Sequence, residues 1–383
     1  MLRKGIYLII TPFFPTKESH NGSYIYDQIN EIRNQSNFDI RVIKVVSLFS
    51  AEIDYVYDGF KVSILKMVDV PFFVFPGLLN VINKKKLLAL LNQNKIDAIA
   101  LVHGHVTYPS AFLSNCISEK FKCKSIVQHH GLDVLQLLNG RNSFLRMLQR
   151  NYIIRNGIKQ LNKIDLNLGV SNRVLSELNS FSSYSPKSEY VLYNGVDIEK
   201  FFPKEQINND FYTIGCVANF WKIKDHITLI KSTQKIFEDG KNIKLRLIGS
   251  GPTLKSCKKY VFENNLTKYI LFENEIVHEK LNDFYNSIDL FVLPSYYEAL
   301  GCVYLESWAT NTPFIGIEGQ GISELIPEND RKTLLAEVQS TDSLKEKILL
   351  AYNNRKSYPF DERYDIKNTI KEFMNDSFFC NNN

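Results

Sequence analysis

LFVLPSYYEALGCVYLESWATNTPFIG, residues Leu290–Gly316, holds the alternation that decides the fold. The apolar run Leu290–Leu293 has the length of a buried parallel strand. Pro294 and Ser295 end it, and Glu298 falls in a tight loop closed by Gly301. Cys302–Thr310 has the spacing of an amphipathic helix and carries Glu306; Pro313 then opens a second apolar run, Phe314–Ile317. The order is strand, loop, helix, strand, with one carboxylate in the loop and another about a turn into the helix. In a doubly wound sheet, a loop at the carboxyl end of a strand faces the ligand crevice. A helix start offers unpaired N–H groups and a positive dipole end, which suit phosphate. A carboxylate beside that anion site suits hydroxyl groups, as on a sugar or ribose.

The same alternation runs outward in both directions. In the first half, candidate strands are Ile6–Ile10, Ile40–Val46, Lys61–Leu65, Ala98–Val102, Ser125–Gln128, Leu166–Val170 and Tyr190–Tyr193, with candidate helices between them, Tyr108–Lys120 and Ser143–Leu161 included. The second half repeats the pattern from Thr213–Ala218 to Phe314–Ile317. Strands alternating with helices predict an α/β fold with parallel sheets and crossover helices. The polar segment Phe201–Asp210, FFPKEQINND, reads as the hinge. The expected domains are 1–202 and 203–358, followed by a helical segment over 359–383.

The bulk numbers narrow the class. A chain of 383 residues holds two or three domains with full cores. With 44% hydrophobic and 23% charged residues it is an ordinary globular protein, not a disordered one. A net charge of +5 fits an anionic ligand or membrane surface and demands neither. No zinc-finger spacing, RNP motif or long basic arm is present, so nucleic acid is not an expected partner. Cys116, Cys123, Cys216, Cys257, Cys302 and Cys380 form no C-x-x-C pair and read as reduced thiols. The apolar start Ile6–Ile10 is too short for a signal peptide and is broken by Pro12. No run reaches the ~18 apolar residues of a spanning helix. The expected location is the cytoplasm, with the inner face of the plasma membrane open as a site within it.

Glu298 and Glu306, in their Pro-loop-Gly context, resemble the E-x7-E signature of the retaining GT-B glycosyltransferases of group 4. The resemblance spans nearly the whole chain and implies two Rossmann-like domains facing across a cleft, acceptor domain first and donor domain second, with the last helix returning to the first domain. It implies that Glu298 faces the donor sugar and Glu306 the nucleotide ribose, while amides around Gly301, Cys302 and Val303 hold the diphosphate. In Val217–Leu229, VANFWKIKDHITL, Lys224 falls on the lysine of the family's Gly-Arg-x-x-x-x-Lys-Gly pattern. Asn219 stands where that pattern has Arg, Ala218 and Asp225 where it has Gly, and Lys222 is placed to take up part of the missing charge. Gly249-Ser250-Gly251-Pro252 ends the next strand; its glycines would let a ligand approach the backbone, and it lacks the G-K-[ST] of a P-loop. FENEI, Phe272–Ile276, matches the segment whose backbone holds the nucleobase, with Asn274 on the usual glycine position and Ile276 closing it. Asn194–Asp197 and Gly319–Glu324 match further family signatures, whereas Asn329–Leu334, NDRKTL, replaces the turn expected there.

The first domain matches less closely. In the loop Thr11–Ser23, Gly22 precedes a helix with Ser23 as its possible cap; the resemblance puts a Gly-Gly pair here near the donor phosphates, and Asn21 replaces the first glycine. In Gln128–Asp133, QHHGLD, His130 matches the family's H-G-x-D, which implies contact with the transferring sugar. His129 is its neighbour, so the residues alone leave a one-position ambiguity. His103 and His105 either line the same cleft or satisfy backbone groups, and two histidines at i and i+2 in a loop are poor evidence for a metal.

The implied reaction is retaining transfer of a sugar from a UDP- or GDP-sugar to a glycan or lipid-linked acceptor. Lys224 and the helix amides would stabilise charge on the leaving diphosphate. The chain contains no D-x-D triplet, and no metal or cofactor is expected. A sugar-nucleotide epimerase of similar fold and a non-catalytic sugar-nucleotide binder stay open. A dinucleotide oxidoreductase is disfavoured by the lack of G-x-G-x-x-G after the first strand. Arg141, Arg146, Arg150, Arg155, Lys159 and Lys163, interleaved with Phe144, Leu145, Leu148, Ile153 and Ile154, and Lys84–Lys86 beside the apolar Pro71–Ile82, read equally as a surface for an anionic bilayer or as core-facing helices with solvated charges.

Overall fold

The computed structural model describes residues 5–68, 77–131, 133, 154–205, 211–356 and 358–380. The chain divides into two compact units, Met1–Tyr193 with Thr369–Asn383, and Asn194–Asn368. The division falls ahead of the Phe201–Asp210 segment read as the hinge.

The first unit is built on eight strands: β1 (Gly5–Thr11), β2 (Phe38–Ser47), β3 (Tyr55–Tyr57), β4 (Phe60–Met67), β5 (Ile99–His105), β6 (Lys124–His129), β7 (Leu166–Gly169) and β8 (Glu189–Val191). Their order across the sheet is β3-β4-β2-β1-β5-β6-β7-β8. Every pair is parallel except β3 with β4. That hairpin turns on Asp58 and Gly59, both at positive φ, which is the Asp-Gly two-residue turn that suits strand twist. Crossover helices bury their apolar stripe on the sheet. Leu87 and Leu91 of Asn80–Gln93, with Leu113 and Ile117 of Phe112–Phe121, pack on Leu8, Ile10, Ile43, Val45, Leu65 and Met67. Each such side chain withdrawn from water contributes roughly 1.5–3 kcal/mol. The helix expected from Tyr108 begins its α-helical part at Phe112 instead. Tyr108 precedes Pro109 and is extended, as proline ring sterics require of its neighbour.

The second unit holds β9 (Tyr212–Val217), β10 (Ile243–Ile248), β11 (Ile270–Glu273), β12 (Leu290–Val292), β13 (Phe314–Ile317) and β14 (Leu335–Ala336) in the order β11-β10-β9-β12-β13-β14. All of its pairings are parallel. β9 lies between β10 and β12, so strand order reverses there and the loops after β9 and β12 flank the switch point, where ligands bind in open α/β sheets. In the first unit β1, between β2 and β5, marks the same point.

NDRKTL, which stands in place of the expected turn, is the body of a helix, Glu328–Leu334. The helical segment expected over 359–383 contains two helices, Ile366–Met374 and Ser377–Cys380. Asp365 pairs with Val196, and further along Phe373 packs on Tyr190 with ring centroids 5.6 Å apart. Of the expected helix Ser143–Leu161 only 154–161 is described, and it buries Ile158 and Leu161 while Arg155 and Lys159 are exposed. Arg141, Phe144, Leu145, Arg146, Leu148, Arg150 and Ile153 lie outside the described residues, as do residues 71–76. Among the described residues no helix is long and apolar enough to cross a membrane. Among the described residues Cys116, Cys123, Cys216, Cys257 and Cys302 form no disulfide.

Candidate functional site

In the second unit the decisive stretch folds as strand β12, a loop, and the helix Cys302–Ala309. Gly301 caps that helix in a left-handed conformation, φ 83°, where a Cβ would stand 2.8 Å from the Tyr304 ring. Tyr304 in turn donates from its hydroxyl to the Leu293 carbonyl at 2.7 Å, fixing the loop from below. Glu298 is held at both backbone ends: its N–H donates to Gln320 Oε1 at 2.8 Å, and its carbonyl accepts from the Gly321 N–H at 3.1 Å. Gly321 is obligatory, because a Cβ there would lie 1.7 Å from the Ala299 oxygen.

The loop after β9 supplies the opposite charge. A 3-10 turn, Lys222–Lys224, leads into the helix His226–Glu238. Lys224 Nζ forms an ion pair with Glu298 Oε2; the two side chains are 22% and 13% exposed. The residues come from loops 74 positions apart and meet beside the switch point. Lys222 and Asn219 are exposed on the same loop. Asp225, on the family's glycine position, adopts the glycine-like conformation, φ 51°, and accepts from the Thr228 hydroxyl at 2.7 Å. Burial raises its carboxyl pKa, and the Thr228 hydrogen bonds work against that rise.

Glu306 sits one turn into its helix and is buried. Its carboxylate accepts from the Tyr285 hydroxyl at 2.8 Å and lies 3.4 Å from His278 Nε2. Burial, then the Glu306 charge, pushes the Tyr285 hydroxyl well above its usual pKa, so it stays a donor. Cys302 Sγ lies 3.3 Å from Asn194 Nδ2.

Gly249 and Gly251 serve packing within the protein. A Cβ on Gly249 would stand 2.2 Å from the Ala218 oxygen, and one on Gly251 2.8 Å from the Phe220 oxygen. Both have positive φ, and the Phe220 N–H donates to the Ser250 carbonyl at 2.7 Å. The close approach that the glycines permit is therefore by the loop carrying Asn219 and Lys224. Asn274 is exposed and Ile276 half-buried just past β11, whose Glu273 is gripped by both ends of the Arg246 guanidinium at 2.6 and 2.9 Å.

The first unit gathers histidines. β5 runs through His105, three residues beyond the strand end expected at Val102, so His103 and His105 share one face of a strand and are not in a loop. The His103 and His105 rings stack at 4.5 Å, and His105 Nδ1 meets His130 Nε2 at 2.9 Å. The Tyr7 hydroxyl bonds His103 Nδ1 at 2.8 Å. The two candidates at 129 and 130 differ in burial. His129 is fully buried, with Nδ1 2.9 Å from Asp133 Oδ2 and Nε2 3.4 Å from Asn167 Oδ1. His130 is half-buried beside the Tyr24 ring, so it is the one open to a ligand. Asp133 also accepts from the Thr107 and His130 backbone N–H groups. Burial alone would raise its pKa, but the His129 hydrogen bond and the neighbouring imidazoles hold it at about 2. Gly22, not Asn21, takes the left-handed conformation, φ 90°, and Ser23 is the first helical residue, its hydroxyl donating to the His20 carbonyl and not capping the helix. Among the described residues no group of three His, Cys, Asp or Glu side chains is arranged to hold a metal ion.

Residues 22–200 match the family described as Glycosyltransferase Family 4, and residues 197–372 match Glycosyl transferases group 1. The chain belongs to the group 4 GT-B glycosyltransferases. The putative glycosyltransferase EpsF of Bacillus subtilis is 32% identical over 33% of this chain and 35% of its own length. The capsular polysaccharide biosynthesis glycosyltransferase CapM of Staphylococcus aureus is 28% identical over 43% of this chain and 47% of its own. The chain thus matches about a third to a half of the length of these relatives. The fold is that of the Anabaena protein HepE, whose structure contains UDP and glucose: TM-score 0.71 at 12% identity, covering 96% of this chain and 97% of that one.

Within this family member the sequence reading missed the residues that hold the named ones. Gln320 braces the Glu298 backbone, Tyr285 and His278 flank Glu306, and His105 pairs with His130. Gln320 lies inside the Gly319–Glu324 motif, so its signal was present as a loop signature without a role. Tyr285 carried no signal, since its partner is 21 positions away and its setting is an ordinary amphipathic helix.

Proposed function

We propose that the protein transfers a sugar, with retention of configuration, from a UDP- or GDP-sugar to a glycan or lipid-linked acceptor in bacterial surface polysaccharide synthesis. The observation that carries this reading is the Lys224–Glu298 pair, assembled from the two loops at the switch point of the second unit. In that reading Lys224 and the first amides of the Cys302–Ala309 helix, from Gly301, Cys302 and Val303, receive the diphosphate. Charge that develops on it as the glycosidic bond breaks meets a cation and a dipole end already in place. Glu298 then accepts hydrogen bonds from sugar hydroxyls, and Glu306, already oriented by Tyr285, accepts from the ribose. Lys222, Asn219 and the backbone of Gly22 complete the phosphate contacts, and Asn274 and Ile276 flank the base. Gly249 and Gly251 act by holding the Asn219–Lys224 loop in place. His130 gives a hydrogen bond to a sugar hydroxyl or to the leaving phosphate. The capsular relative supports the polysaccharide context.

The test is product formation with a panel of sugar nucleotides, first screened by thermal shift, followed by NMR of the anomeric centre. Glu298→Ala is expected to abolish most transfer with the fold intact. Near-normal turnover in that variant, or an inverted anomer, would refute the assignment. Conversion of the donor sugar without acceptor would instead point to an epimerase. Tight donor binding with neither transfer nor hydrolysis would support a non-catalytic binder, the reading that Asn219 in place of arginine favours. Transfer is expected to persist in EDTA, because the charge stabilisation is assigned to Lys224 and the helix amides.

Peripheral membrane contact belongs to the same proposal. Leu78 and Val81 are 65% and 73% exposed beside exposed Lys84 and Lys85, an apolar-basic pairing that suits an anionic bilayer. Flotation with anionic liposomes at low salt is the check, and a protein that stays at the bottom of the gradient would contradict it.

A further inference from the structure

We propose that His105 is a positioning residue: it holds the His130 imidazole in the tautomer with its proton on Nδ1, so that His130 presents an N–H donor to its ligand. The inference rests on the reading above for His130, and on geometry for His105. His105 is wholly buried on β5, and its Nδ1 meets His130 Nε2 at 2.9 Å with the rings nearly parallel, 18° apart. His105 Nε2 is buried and has no hydrogen-bond partner. His130 makes no side-chain hydrogen bond to a described residue through Nδ1.

One proton occupies the bond between two neutral imidazoles, and it can sit on either ring. Burial first, and then the neighbouring imidazoles, keeps His105 well below the usual histidine pKa; burial takes His130 to about 4, so both are neutral near pH 7. If His130 Nε2–H donated, the His105 proton would sit on Nε2, a buried N–H facing no acceptor. If His105 Nδ1–H donates, the buried Nε2 is only an unused lone pair. Orphaned buried N–H groups are the rarer and costlier case, so the second arrangement prevails. The hydrogen bond at one ring nitrogen then fixes the state of the other. His130 accepts at Nε2 and carries its proton at Nδ1. The His103 ring, stacked on His105 and anchored by the Tyr7 hydroxyl, keeps the donor ring from turning.

The experiment is a long-range 1H–15N correlation spectrum of the full chain with 15N-labelled histidine near pH 7.5, His130 being assigned by its loss in His130→Gln. In the unmutated protein His130 is expected to show a protonated Nδ1 and an unprotonated Nε2; the reverse pattern overturns the proposal without any variant. His105→Phe keeps a ring in the stack and removes the donor. It should shift His130 toward the Nε2-protonated form and lower kcat roughly tenfold, the scale of one lost hydrogen bond, with donor KM within a factor of about two. His105→Asn, with an amide N–H near the same place, should restore both the tautomer and most of kcat. An unchanged His130 spectrum in His105→Phe sinks the positioning role. Full turnover in His130→Gln would instead remove His130 from the reaction, a failure of the functional reading that the spectra would separate from this one.

Discussion

The second unit places an ion pair, Lys224 with Glu298, on loops that remain partly open, whereas the first unit stacks His103, His105 and His130 against its sheet as neutral rings. Both arrangements lie near a strand end, yet they solve different problems. A leaving diphosphate needs a fixed opposite charge, and keeping that charge partly solvated until the ligand arrives spares part of its desolvation cost. A hydroxyl or a neutral sugar oxygen needs a hydrogen bond of defined direction, which a neutral imidazole with a single proton supplies. The difference predicts that perturbing the charged cluster damages catalysis and donor binding together, while perturbing the neutral one damages turnover more selectively.

The largest effect should come from Lys224→Met. Loss of the cation is expected to lower transfer about a thousandfold, on the scale of losing a fixed electrostatic stabiliser in an active site. His130→Gln should lower kcat about a hundredfold. Steady-state kinetics on both variants would invert the comparison if the histidine proved the more costly loss. Thermal shift with UDP or GDP sharpens it further. Saturating nucleotide at about 100 times Kd should stabilise the native protein by about 2.7 kcal/mol. That gain should vanish in Lys224→Met and survive in His130→Gln. A shift retained in Lys224→Met would place the diphosphate elsewhere.

A middle-sized effect should separate scaffold from chemistry. Gly249→Ala puts a Cβ 2.2 Å from the Ala218 oxygen at a residue with φ 141°. The loop bearing Asn219 and Lys224 must move, and a loss of about 1–3 kcal/mol is expected from the strained backbone. Hydrogen exchange should localise the loss to β9 and β10 and leave β5 and β6 protected. Uniform loss across both units would mean that the glycine packing is not local.

The same contrast explains what could be read in advance. Buried parallel strands are contiguous apolar runs, so β1, β2, β9, β10, β12 and β13 stand out in the sequence, and the E-x7-E spacing sits on one loop and helix. β14 is only two residues long, and β3 is a three-residue strand that depends on the Asp58-Gly59 turn and not on an apolar run. Glu328–Leu334 has little apolar periodicity; its helix is favoured by Pro327 ahead of it and by Glu328 and Asp330 in its first turn. The partners of the site residues were hidden for another reason. His105 reaches His130 because β5 pairs with β6 in a register that sets His105 against Gln128. Lys224 reaches Glu298 because β9 and β12 are neighbours. Neither register is a local property of the sequence.

The last contrast is in stability against pH, and it also divides the two regions. Burial first, and then neighbouring imidazoles, lowers His103 to about 3; burial lowers His130 to about 4, and His105 falls well below the ordinary value. In the second unit His226, stacked on Phe220, is lowered to about 4 by burial and then by the Lys224 charge. All four have folded pKa values below the ~6.5 of an unfolded histidine, so from pH 6.5 down to about 4 the unfolded chain binds the extra protons. Stability therefore falls as pH falls through that window and is flat above it. Each histidine contributes up to about 1.4 kcal/mol per pH unit. Asp133, held at about 2, loses its contribution only below its unfolded value of about 4 and does not enter the window. Three such rings in the first unit against His226 in the second should make protection of β5 and β6 fall more steeply between pH 6.5 and 4.5 than that of β9 and β12. Native-state hydrogen exchange, corrected for intrinsic rates, measures both slopes in one sample. His103→Phe removes one titrating ring and should flatten the first slope by roughly a third. An unchanged slope in that variant would mean that the stacked histidines are hydrated in the native protein, and the neutrality on which the first region's directed hydrogen bonding depends would fail with it.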